Sequence, residues 1–231
     1  MNKENIMAGK VRDYIAKYYD GFGTNCAETT FLAANDAWEL GVPQEFVKMM
    51  GGFGGGMGVK GICGAVSGGA AALSVLYVRE SGHNSPLLMA KVKMFRDLIM
   101  ERIGTVDCRD LLPRYNTPKE GCKPTIGAIV DILDEVKAEY IDAPSYLPRK
   151  VKGPVMREIM ANDHVLMDIR TAEEKAEKDF ANIIEVPECF ENYMDKVIVL
   201  CGSDTKKAAE IGEKLLALDH KKFYMVDPKM L

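Results

Sequence analysis

The chain has 231 residues, 47% of them hydrophobic, enough for one large or two modest cores, which excludes a disordered polypeptide. Its formal net charge of -4, with no long run of one sign, offers no basic field for nucleic acid. The first twenty residues mix charges with apolar positions at helical spacing where a signal peptide would be uniformly apolar, and no stretch approaches the roughly 20 apolar residues of a membrane-spanning helix. A cytoplasmic chain with no membrane partner is therefore expected. In a reducing compartment Cys26, Cys63, Cys108, Cys122, Cys189 and Cys201 read as ligands, nucleophiles or core residues, not as permanent bridges.

Residues 1–141 are expected to form a helical bundle. Apolar residues recur at three and four positions in VRDYIAKYYD, CAETTFLAANDAWEL, LLMAKVKMFRDLIMERI and IGAIVDILDEVKAEY. Start signals agree: Thr24 and Asn25 precede the second segment, Asn84 and Ser85 precede Pro86, and Pro124 suits a first turn. Residues 142–154 carry three prolines and a glycine and read as a linker. Beyond it the period changes. HVLMDI, KVIVLC and KFYMV are short apolar runs alternating with helix-like stretches, so residues 155–231 are expected to form a small α/β domain with a parallel sheet.

Between residues 51 and 69 glycine is so dense that a regular helix cannot run through the first part, and the backbone there can approach a neighbour closely. The run lacks the Gly-Lys-Ser/Thr of a phosphate loop, and no strand precedes it as a dinucleotide fold requires. Around it the cysteines fall at predicted helix starts. Cys26 opens one helix, Cys63 follows the glycine turn at the start of another, and Cys122 precedes a third, placements in which unpaired N–H groups favour thiolate over thiol. Cys108 has Arg109 beside it. The bland alternative is four buried small hydrophobes.

Cys26 followed by Glu28, the run FGGGMG, the segment GICGAVSGG around Cys63, Cys108 with Leu111, and Cys122 together resemble the C_GCAxxG_C_C family, named for its cysteine pattern. Where members of that family carry a further cysteine inside the glycine run, this chain has glycines and Met57. The resemblance implies redox activity or metal binding. From spacing alone, the absence of a Cys-x-x-Cys pair disfavours a thioredoxin-type couple, and zinc or an iron–sulfur cluster on Cys26, Cys63, Cys108 and Cys122 stays open beside a reversible disulfide.

In the second half, KVIVLCGSDTKKAAEIGEKLL reads as a buried strand ending in Cys201, a polar loop and an amphipathic helix, where converging backbone N–H groups would stabilise a thiolate or persulfide. This resembles rhodanese-like sulfurtransferases, whose catalytic cysteine ends a central strand. HVLMDIRTAEE, with Asp168 and Arg170, is similar to that family's Asp-x-Arg segment. The resemblance implies Cys201 as a persulfide carrier and Gly202, Ser203, Thr205 and Lys206 as a substrate-binding loop. Asp204 and Lys206 replace the usual glycine and arginine, and residues 178–180 replace the familiar Gly-His-Ile. Cys189 has no supporting motif, and His83, His164 and His220 have no ligand spacing. The combined expectation is a cysteine-based redox or sulfur-transfer protein, a sulfurtransferase or thiol oxidoreductase, working with a small sulfur donor or acceptor or a thiol redox partner. The other expectation is a metal protein with a docking module.

Overall fold

The computed structural model describes residues 9–231; the opening eight, part of the stretch in which no signal peptide is read, lie outside them. The chain divides into two compact units. The first runs to Tyr77 and resumes over Leu88–Asp142, while the second combines Val78–Leu87 with Ala143–Leu231. Among the described residues no helix is long and apolar enough to cross a membrane.

The first unit is helical: α1 (Cys26–Ala37), α2 (Gly64–Tyr77), α3 (Pro86–Arg102, whose first two residues cluster with the other unit), α4 (Cys108–Tyr115) and α5 (Lys123–Ala138). Helix α1 begins where a full capping box forms. The Asn25 side chain accepts from the N–H groups of Ala27 and Glu28, and the Glu28 carboxylate accepts from the N–H of Asn25. The small residues of α1 and α2 let the two backbones close up, and a Cβ on Gly68 would lie 2.4 Å from the Ala27 carbonyl oxygen. Helix α5 buries the stripe Ile126, Ile129, Val130, Leu133 and Val136, spaced as one helical face requires. The buried Lys91 ammonium donates to the carbonyls of Val136, Lys137 and Glu139, satisfying the end of that helix. VRDYIAKYYD is wound unevenly, as a 3₁₀ turn over Val11–Tyr14 and a π turn over Lys17–Gly21. A 3₁₀ segment, Gln44–Phe53, was not anticipated; its apolar residues are spread over a stretch that also holds Gly51 and Gly52.

The second unit is a five-stranded parallel sheet, in the order β1-β5-β4-β2-β3, formed by β1 (Arg149–Lys150), β2 (His164–Asp168), β3 (Ile183–Glu185), β4 (Val197–Cys201) and β5 (Phe223–Val226). Helices α6 (Gly153–Ala161), α7 (Ala172–Glu177) and α8 (Thr205–Ala217) make three of the four connections, and a 3₁₀ turn at Glu191–Tyr193 lies in the one from β3 to β4. Alternation along the strands separates two cores. Met167, Ile198, Leu200, Phe223 and Met225 pack with Ala208, Ile211 and Leu215 of α8, whereas Leu166, Val199, Cys201 and Val226 pack with Met156, Ile159 and Met160 of α6. Residues 142–154 depart from the expected linker. They contain β1 and also Tyr146, which is 1% exposed inside the α8-side core, because prolines on either side still allow the short edge strand between them.

Candidate active site

Four helix starts converge in the first unit, and each brings a cysteine. Cys26 is the first residue of α1 and Cys108 the first of α4; Cys122 precedes α5 and its carbonyl accepts from Ile126, and Cys63 precedes α2 with its carbonyl accepting from Val66 and Ser67. All four thiols line one cavity of about 270 Å³, together with Gly55, Gly58, Lys60, Leu111, Leu112 and Thr125. A one-residue antiparallel bridge, Ile62 to Asp107, joins two of them. It is held by Cys63 N–H to Val106 at 2.8 Å and Cys108 N–H to Gly61 at 2.7 Å. Tyr19 accepts from the Cys122 N–H at 3.0 Å, and Asn116 Nδ2 lies 3.5 Å from Cys122 Sγ.

The glycine run shapes the cavity wall by reversing the backbone hand. Gly55, Gly56, Met57 and Gly58 all have φ between 58° and 73°, and Lys60 follows at 59°. Glycine adopts this region freely, whereas Met57 and Lys60 there each cost on the order of 1–2 kcal/mol. The fold needs this turn because Gly56 sits against the Gly61 backbone and Cys108, where a Cβ would come within 2.6 Å of the Gly61 nitrogen. A Cβ on Gly64 would stand 2.5 Å from Cys26 Sγ, so the missing side chain lets that sulfur rest on the start of α2.

The pair at the heart of the cavity is electrostatically unequal. The Cys63 thiol hydrogen-bonds to Cys26 and, against the upward push of burial, this bond and the backbone N–H groups of Gly55 and Gly64 bring Cys26 below the ordinary thiol range. Cys63 is driven up, first because it gives that hydrogen bond and then by burial and the Cys26 charge. The pair therefore gives up one proton readily and holds the second. Cys108 is raised by burial and by the charges of Cys26 and Cys122, with Lys60 offsetting part of this. Its helix N-terminus does not prevail.

Whether these thiols suit zinc or an iron–sulfur centre is a matter of donor convergence, since such centres need three or four ligands at bonding distance of one point or cluster. Among the described residues no group of three or more His, Cys, Asp or Glu side chains is arranged to hold a metal ion.

Cys201 stands where strand β4 ends, but its chemistry runs opposite to the sequence expectation. It is fully buried on the α6 face of the sheet, away from the face that α8 covers, and burial pushes its thiol up to about 11. Arg170 lowers it, while Asp168, Glu174 and Asp227 add to the rise. Two of the loop donors expected to hold a persulfide, those of Gly202 and Ser203, are already engaged. Gly202 N–H donates to Val226, Ser203 N–H to the Glu174 carboxylate, and Lys207 N–H to Asp204, which caps α8. Thr205 and Lys206 begin α8. A larger cavity of about 570 Å³ includes Gly202 and Ser203 with His83, Arg149, Lys150 and Lys152 in its lining, but Cys201 is not part of that lining. Cys201 is accordingly expected to resist alkylation at neutral pH until urea unfolds the second unit, while the exposed Cys189 reacts in the native protein; residue-resolved alkylation with and without urea checks both.

Sequence reasoning missed Gly55 and Gly64 as thiolate donors, Lys60, and Thr125, whose buried hydroxyl has no hydrogen-bond partner. Only the tight spacing of glycines around Cys63 hinted at the first two. Of the histidines, His220 is buried and stacks on Phe223, His83 borders the larger cavity and His164 bonds to the Asn162 carbonyl.

Residues 24–136 match the family model described as "Putative redox-active protein (C_GCAxxG_C_C)", a span that contains all four cavity cysteines. No curated protein and no solved structure matches the chain.

Proposed function

We propose that the first unit is a thiol–disulfide redox catalyst in which Cys26 is the nucleophile, Cys63 its disulfide partner, and the half-buried Cys122 the thiol that exchanges with an external reductant. One observation carries the reading: Cys26 and Cys63 line one small cavity, with Cys26 Sγ seated against the start of α2 where a Cβ on Gly64 would stand 2.5 Å away, and the proton is held unequally, Cys26 lowered and Cys63 raised. That arrangement readies one thiolate beside a protonated thiol, as a two-electron dithiol couple requires. Oxidation of the thiolate–thiol pair removes two electrons and one proton to form the Cys26–Cys63 bond. Cys122 attacks that bond, forming a disulfide that includes Cys122 and releasing one thiolate of the pair. Two external thiols reduce the new disulfide through a mixed disulfide and end as a disulfide themselves.

For the second unit, a rhodanese-like fold is supported by Cys201 ending the central strand of a five-stranded parallel sheet, followed by a short polar loop and a helix. Its buried thiol and spent loop donors favour a structural or docking module over a persulfide carrier. Incubation with thiosulfate is expected to add no sulfur to Cys201 in intact-mass analysis. The central test is equilibration of the reduced protein with oxidised dithiothreitol, followed by alkylation and peptide mapping. A disulfide between Cys26 and Cys63 is expected; a different pairing, or six free thiols after full equilibration, defeats the reading.

A further inference from the structure

The redox reading leaves the oxidant unidentified, and three features of the cavity narrow it. The first is size. About 270 Å³ lies below the usual range for drug-sized ligands, and the nucleophile in its lining is 7% exposed and its partner 3%. A folded protein's disulfide cannot reach that sulfur, so the oxidant is a small molecule.

The second feature is a waiting hydroxyl. Thr125, in the first turn of α5, is 4% exposed and lines the same cavity, yet Thr125 Oγ1 has no hydrogen-bond partner, the one such buried side-chain atom among the described residues. Buried hydroxyls are rarely left unpaired, so this one calls for a partner from outside the chain. The third is charge. Four helix starts and Lys60 surround a space otherwise walled by leucine and glycine, a setting that stabilises negative charge developing on a small atom.

Resting on the dithiol reading above, we propose that the cavity admits a small hydroperoxide, whose oxygen takes the Thr125 hydroxyl as its hydrogen-bond partner, and that Cys26 reduces it. The Cys26 thiolate gives its electron pair to the near oxygen. The O–O bond breaks, and the far oxygen leaves with that bond's electrons and takes up a proton from solvent as water or an alcohol. Cys26 is then a sulfenic acid. Cys63 attacks its sulfur, the S–S bond forms, the S–O bond breaks, and the departing hydroxide takes the Cys63 proton as water. Two thiols and one hydroperoxide thus yield a disulfide, an alcohol and water. Thr125 acts on the leaving oxygen, and its chemistry is separable from the thiol pair.

The experiment compares hydrogen peroxide with oxidised dithiothreitol on the full chain. Wild type treated with peroxide is expected to form the Cys26–Cys63 disulfide at least about a hundredfold faster than Cys189, the exposed thiol of the same chain, is oxidised, and Cys63→Ser is expected to trap a dimedone adduct on Cys26. Thr125→Val should slow peroxide oxidation about tenfold, Thr125→Ser should restore it, and neither should change the iodoacetamide rate of Cys26. Peroxide oxidation no faster than that of Cys189, with the disulfide still formed by oxidised dithiothreitol, overturns the peroxide proposal and leaves the dithiol reading standing. Absence of the disulfide with both reagents defeats the dithiol reading itself. A lowered thermal midpoint in Thr125→Val would show a structural role for the hydroxyl and would also overturn the assignment.

Discussion

Cys26→Ser is expected to abolish disulfide formation in the first unit and to remove the fast-alkylating thiol at neutral pH. An ordinary thiol is only a few per cent thiolate at pH 7, whereas Cys26 is held in that form by Cys63 and by the N–H groups of Gly55 and Gly64. The fast iodoacetamide uptake at position 26 should therefore disappear, since serine is no nucleophile. The partner variants separate the causes. Cys63→Ser keeps an O–H that can donate to Cys26 and should preserve its low-pH reactivity, while Cys63→Ala removes the donor and should move the alkylation midpoint upward. Gly64→Ala places a Cβ where Cys26 Sγ now rests and should do the same by displacing the sulfur.

The pair also sets the pH dependence of stability in the reduced protein. Between the lowered Cys26 value and the unfolded thiol value of about 8.5, the folded pair has lost one proton and the unfolded pair none, so stability rises with pH. Above about 8.5 the unfolded pair loses both protons while Cys63 keeps its own when folded, so stability falls. Urea unfolding should show a rising limb below about pH 8.5, with a limiting slope of about 1.4 kcal/mol per pH unit, that is absent in the Cys26→Ser, Cys63→Ser double variant. The fall above about 8.5 is only reduced in that variant, because Cys108 and Cys201 are raised as well.

The largest loss of stability is expected from Asp168→Asn in the second unit. Arg170 donates to Asp168 through Nε and Nη2, both at 2.9 Å, and both side chains are about 95% buried. The guanidinium also donates to the Lys178 carbonyl and lies over the Phe180 ring. Removing the carboxylate strands a buried cation, which costs about 3–5 kcal/mol. A double variant, Asp168→Leu with Arg170→Met, should lose much less, because neither charge remains to be desolvated. Burial pushes Asp168 up, but the hydrogen bonds from Arg170 and Lys175 prevail and hold it at about 2. Since that lies below the unfolded value of about 3.9, the stabilisation is complete above pH 4 and disappears as pH falls through 2. Acid unfolding of Asp168→Asn should lack this component.

Helix starts were the most legible part of the fold. Asn25 before Cys26 and Pro124 after Cys122 are local signals, read from neighbours in the chain, and they set three of the four cysteines at helix N-termini before any coordinates. The fourth was not legible: Asp107 makes no side-chain cap bond, and the start of α4 is set instead by the pairing of Ile62 with Asp107, a contact between distant residues. Strands β2, β4 and β5 were equally legible, since short apolar runs announce them, whereas β1 fell inside the expected linker. The state of Cys201 was not legible. Which face of a sheet a strand's last residue joins depends on register with neighbouring strands, and whether loop N–H groups are free depends on Glu174 and Val226, supplied from elsewhere. The same holds for Thr125: an unpaired hydroxyl is a property of what surrounds it.

The segment Val78–Leu87 departs from the first unit and clusters with the second, where Glu80 accepts from Tyr146 and Asn84 donates to the Leu147 carbonyl. On a ribosome the order of emergence is consequently not the order of completion. Every residue of the first unit has been synthesised once Asp142 is joined, whereas the second unit releases ten residues early and must wait for the rest of the chain before they find their neighbours. A gene fragment cut at residue 143 would lack those ten residues, and one ending at 142 would leave them as an unpaired loop.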